Sequence, residues 1–71
     1  MTLKEFLDQY VSPGEPISVF VTDKEGFYID TAIYFSLARD VIEGKVGKEY
    51  HNNKVAFVRS GNSLIIDVKG E

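Results

Sequence analysis

Few side chains in this sequence have the type and spacing to do chemistry. Five serines, Ser12, Ser18, Ser36, Ser60 and Ser63, carry hydroxyls that could act as nucleophiles. None sits in a G-x-S-x-G elbow, and a serine works only with a base within hydrogen-bond reach. The single imidazole, His51, lies in the polar run Tyr50-His51-Asn52-Asn53 and reads as a surface group. Asp30, with Asp23 and Asp67 as candidate neighbours, would suit acid–base work only if an apolar site raised its pKa. On a strand it reads as a solvated carboxylate. Gly44-Lys45-Val46-Gly47-Lys48 has the residue types of a phosphate loop. It lacks both the G-x-x-x-x-G-K-[ST] spacing and the strand-to-helix setting that such a loop requires. No catalytic constellation emerges, so the chain reads as a non-enzyme with no cofactor.

Metal and nucleic-acid chemistry are equally thin. The chain has no cysteine, which excludes disulfides and thiolate metal sites and fits a reducing compartment. One histidine builds no zinc site without carboxylate help. Lys48, Lys54 and Arg59 form at most a small basic edge, and affinity for DNA grows with the number of phosphates neutralised. The net charge of −3 points the same way, because nucleic-acid binders carry a basic surplus. That charge is uneven. Residues 1–43 hold three basic and eight acidic groups, for −5, and residues 44–71 hold five and three, for +2.

Length bounds the rest. Seventy-one residues make one domain, which buries only about 60% of the surface of its unfolded chain. Small folds often add disulfides, metals or a partner subunit, and here self-association is the option left. The opening Met1–Tyr10 has no basic segment leading into an apolar run, so it is no signal peptide. No apolar run approaches the roughly 18 residues of a membrane helix. A cytoplasmic protein with no membrane partner is the expectation.

The elements that position these groups are legible from spacing. Thr2 and Glu5 form a capping box. Leu3, Phe6, Leu7 and Tyr10 fall at i, i+3, i+4 and i+7 on one helical face. The prolines of Ser12-Pro13-Gly14-Glu15-Pro16 end that helix, read as residues 3–11. Ile17–Thr22 is β-branched and alternating, hence a strand. Asp23-Lys24-Glu25-Gly26 is a turn with glycine at positive φ, and Phe27 to about Leu37 resumes the alternation. A helical turn near Arg39–Glu43 follows, with Gly44 closing it; Tyr34, Leu37, Ala38 and Val41 also fit a helical stripe, which would shorten the strand and lengthen the helix. Lys54–Arg59 and Leu64–Lys69 are strands joined by Ser60-Gly61-Asn62-Ser63, where Gly and Asn tolerate the left-handed region. The expected fold is α+β: an N-terminal helix on a four-stranded antiparallel sheet of two hairpins, with a short helical turn in the 38–48 connection. Leu3, Phe6, Leu7 and Tyr10 would cover Ile17, Val19, Val21, Ile29, Ile33, Phe35, Val55, Phe57, Leu64, Ile66 and Val68.

One short helix covers one face of a sheet. The other face should then be polar, and it is not. Phe20, Tyr28, Ala32, Tyr34, Ala56, Val58 and Ile65 fall there by alternation, with Asp30 among them. Contiguous apolar surface marks binding, and tyrosine and phenylalanine are enriched in such surfaces. The partner-binding residues expected are therefore Phe20, Tyr28, Asp30, Tyr34, Val58 and Ile65. Three things could cover them: the chain's own 38–53 segment, a second copy, or another protein. A register slip of one residue would exchange the two faces.

With these elements in place, the chain resembles a loose group of short α+β proteins encoded by phages and prophages. The resemblance rests on the opening Met1-Thr2-Leu3-Lys4-Glu5-Phe6-Leu7, on the strand Val19-Phe20-Val21-Thr22-Asp23, and on the closing Leu64-Ile65-Ile66-Asp67-Val68. It is one of layout and has no diagnostic motif. It implies a host cell's cytoplasm and action by binding a host or phage protein, including inhibition of a host defence protein. The leading functional expectation is a non-enzymatic protein-binding module. One alternative is a nucleotide-like small-molecule binder formed by an oligomer, using Arg39, Lys54, Arg59 and the aromatics. Another is a structural homodimer.

Overall fold

In a computed structural model describing residues 1–70, the capping box forms as expected. Thr2 Oγ1 accepts from the Glu5 amide at 3.2 Å, and Glu5 Oε1 accepts from the Thr2 amide at 2.9 Å. Helix α1, Leu3–Tyr10, starts there. Its next two amides also find partners, donated from Leu3 to the Asn53 carbonyl and from Lys4 to the His51 carbonyl. The helix start is thus tied to the distant 51–53 segment, and no orphan donor is left in its first turn.

Strand β1 (Pro16–Thr22) and β2 (Tyr28–Leu37) form the first hairpin, turned by Gly26 at φ 93°. Helix α2 (Ala38–Ile42) follows directly. It ends in a Schellman motif: Gly44, at φ 81°, donates to the Val41 carbonyl and Lys45 to the Asp40 carbonyl, so carbonyls the helix itself leaves free are satisfied. A single 3-10 turn at Lys48–Tyr50 leads to β3 (Val55–Ser60) and β4 (Leu64–Lys69), the second hairpin. Gly61 and Asn62 turn the chain there without a positive φ, so the left-handed conformation expected at that turn is not used.

The sheet order is β2-β1-β4-β3. Both hairpins are antiparallel, but β1 and β4 run parallel at the centre. The sheet is therefore mixed, which corrects the expectation of a purely antiparallel one. The physical reason is the 38–54 connection. It carries the chain back along the sheet before β3 starts, as a crossover of a dozen or more residues with a helix in it can do.

That connection lies on the same side as α1. Ala38 and Val41 are fully buried with Leu3, Leu7, Ile17, Val19, Ile33, Ile66 and Val68, and Ile42, Val46 and Tyr50 pack against this cluster. Gly47, at φ 66°, sits so close that a Cβ there would come within 2.4 Å of Ile33 Cδ1. Among the described residues no helix is long and apolar enough to cross a membrane.

Four residues expected in the core are exposed instead: Tyr10, Ile29, Phe35 and Phe57. Tyr10 ends α1 with its ring against Phe6. The other three sit at or beside β-bulges, where register shifts break the alternation. A bulge adds one residue to one strand and turns every later side chain over. The first hairpin holds three such shifts and the second one.

Candidate functional site: the open face of the sheet

Cross-strand partners share a face, so the register assigns each side chain. Ile17, Val19 and Val21 pair with Leu64, Ile66 and Val68 on the helix side. Ser18, Phe20 and Thr22 pair with Ile65, Asp67 and Lys69 on the side the helices leave bare. From the outer strands Thr31 and Tyr28 join opposite Phe20 and Thr22, while Phe57 and Arg59 join opposite Asp67 and Ile65. One row, Thr31–Phe20–Asp67–Phe57, crosses all four strands.

Apart from Phe57, the side chains in and beside that row hold one another. The Tyr28 ring meets the Phe20 ring edge-on, centroids 5.8 Å apart, a favoured aromatic geometry. The Tyr28 hydroxyl is 2.8 Å from Thr31 Oγ1. The Arg59 guanidinium lies 5.7 Å from the centre of the Phe20 ring, within cation–π range. The same guanidinium grips Asp67 with two donors, at 3.0 and 3.3 Å. Asp67 is itself largely buried. The fork geometry suits a planar guanidinium on a carboxylate and holds Arg59 flat on the sheet. Apart from this pair, Lys69 at the end of β4 carries the only charge among the face residues named here, so the face is close to neutral.

Of the expected binding residues, Phe20, Tyr28 and Ile65 lie on this face. Tyr34, 79% exposed, follows the inward Ile33 and so belongs to the same side. Val58 does not. The register shift between Val55 and Phe57 sets Val58 opposite Ile66, on the helix side, and brings Phe57 out in its place. Asp30 is also misplaced. It pairs with Val21 across a bulge, and its Oδ1 accepts from the Thr31 amide, so it is no member of the aromatic row. His51 is no free surface imidazole either: its ring Nε2 meets the Val41 carbonyl, bracing the end of α2.

Three residues of this face escaped the sequence reading as docking groups, Phe57 and the Arg59–Asp67 pair. The pair had a signal, because a hairpin turning at 60–63 brings opposite charges at 59 and 67 into diagonal reach. Phe57 had none, since nothing in Val55-Ala56-Phe57 marks a bulge. The chain's middle segment does not roof the face, since it packs on the opposite side. The basic residues considered for a nucleotide site do not converge. Arg59 is taken by Asp67, Arg39 lies beside Gly14, and Lys54 stands where its backbone pairs with Thr2 at the start of α1.

No protein-family model matches the chain, and neither a curated protein nor a solved structure shows significant similarity to it.

Proposed function

We propose that this chain is a non-enzymatic protein-binding module that docks through the open face of its sheet. One observation carries the reading. The chain spends both helices and its long connection on one side of the sheet, and leaves Tyr28 and Phe57, each 61% exposed, around the fixed Phe20–Arg59–Asp67 cluster on the other. Aromatic residues and arginine held in place by neighbours are the common anchors of protein interfaces. Their rotamer entropy is already spent in the free state, which lowers the cost of association.

The resemblance to small phage-encoded proteins makes a host protein the class of foreign partner, with an inhibited defence protein as one instance. The test pairs Tyr28→Lys with Phe57→Lys. Both side chains are exposed, so the fold should survive, as circular dichroism would verify. A protein captured by the wild type is purified and titrated against both forms. Loss of a central anchor costs about 2 kcal/mol or more, which corresponds to an affinity at least roughly 30-fold weaker. Equal affinity for the two forms would remove the open face from the binding reaction.

A further inference from the structure

We propose that the occupant of the open face is a second copy of this chain, packed sheet to sheet with the helices of both copies outside. The proposal rests on the reading of that face as a docking surface and names its partner.

Area is the first argument. An aromatic side chain offers about 200 Å², and Tyr28, Tyr34 and Phe57 are exposed by 61%, 79% and 61%. These three alone present on the order of 400 Å², half of the roughly 800 Å² each partner gives to a standard interface. Phe20, Ile65 and the stem of Arg59 extend the same patch. Two such faces meeting would form an aligned sandwich, in which sheets pack about 10 Å apart.

Charge is the second argument, and it selects this face over the other. On the open face, Arg59 and Asp67 neutralise each other within one copy. A second copy therefore buries a compensated pair and not a lone ion, whose desolvation would oppose docking. The helix layer is different. α1, α2 and the following turns carry five acidic and four basic side chains, and burying that many ions against a second copy would cost desolvation. The density of charged side chains disfavours the helix sides as a contact and leaves the aromatic sides to meet. A two-fold axis needs a self-complementary patch, and a patch holding both halves of an ion pair among aromatics satisfies that.

Sedimentation equilibrium of the whole chain tests this, at concentrations up to about 100 μM, a range that detects any dimer with micromolar affinity. The wild type is expected to sediment as a dimer. The Tyr28→Lys, Phe57→Lys double variant, checked for an unchanged circular dichroism spectrum, should dissociate at least 30-fold more readily. Tyr10→Lys, which changes an equally exposed aromatic on α1, should leave the dimer intact. A wild type that stays monomeric throughout overturns the second copy as occupant while leaving a foreign partner for the face. A dimer that persists in the double variant, or is lost in Tyr10→Lys, overturns the proposal together with the open face as the docking surface.

Discussion

The two faces of this sheet are built from the same strands by alternate residues, yet they have different physical tasks. On the helix side Leu3, Leu7, Ile17, Val19, Ile66 and Val68 have no exposed surface. On the open side the Phe20–Tyr28 edge contact, the cation over Phe20 and the Arg59–Asp67 fork hold side chains in place while leaving aromatic surface free. Burial of apolar area is what holds the first side together. The second is ordered by directional contacts of about 1 kcal/mol each, too weak to carry the fold but sufficient to preset a shape. A face can thus be rigid without being part of the core.

The widest separation between the faces should appear in paired truncations. Ile66→Ala empties space in the closed core and should destabilise the chain by about 2–5 kcal/mol in urea unfolding. Phe57→Ala, its counterpart on the open side, should change monomer stability by less than about 1 kcal/mol, as surface substitutions do. Because docking between copies would add stability in proportion to concentration, this pair is best compared at low protein concentration. Equal losses would mean that the open face belongs to the core.

A smaller effect concerns the edge of the open face. Phe35 is a non-glycine residue at φ 51°, in a register shift of β2, with its amide donating to Ser18 Oγ at 3.0 Å. A bulky residue in the left-handed region costs about 1–2 kcal/mol that glycine avoids. After the greater chain entropy of glycine is subtracted, Phe35→Gly should still raise stability by about 0.5–1 kcal/mol. Its melting temperature should exceed that of the wild type by a few degrees. A fall would show that the half-exposed ring contributes more packing than its backbone costs.

The smallest effect lies at the start of the covering helix. The hydrogen bond from the Thr2 amide, helped by the Thr2 side chain, holds the Glu5 carboxyl below its ordinary value of 4.5. A carboxyl lowered on folding stabilises the native state above its unfolded pKa, and that stability is lost as pH falls through the folded value. Glu5→Gln should flatten the decline in stability on acidification below about pH 4.5 and leave the open face untouched. An identical acid profile would show that the capping carboxylate is not linked to folding.

Short-range features were readable from residue types. The capping box, the glycines at 26 and 44 and both hairpins follow from spacing and turn chemistry, because each involves residues a few positions apart, whereas 34–43 fitted strand and helix alike. The bare apolar face was also readable, since one helix cannot cover two sides. Its membership was only partly readable. Phe20, Tyr28 and Ile65 follow from simple alternation. Val58 and Phe57 exchange places because one register shift turns the remainder of β3 over.

What the sequence by itself determined was which segments are helix and strand, and that more apolar surface exists than one helix can bury. Tertiary structure alone decided that β1 lies parallel to β4, that the middle segment joins α1 on the covered side, and that the Arg59 guanidinium comes to lie over Phe20. These features depend on where the long connection lays the chain and on bulges within the strands. Both are settled by packing between residues far apart in sequence, which local propensity does not encode.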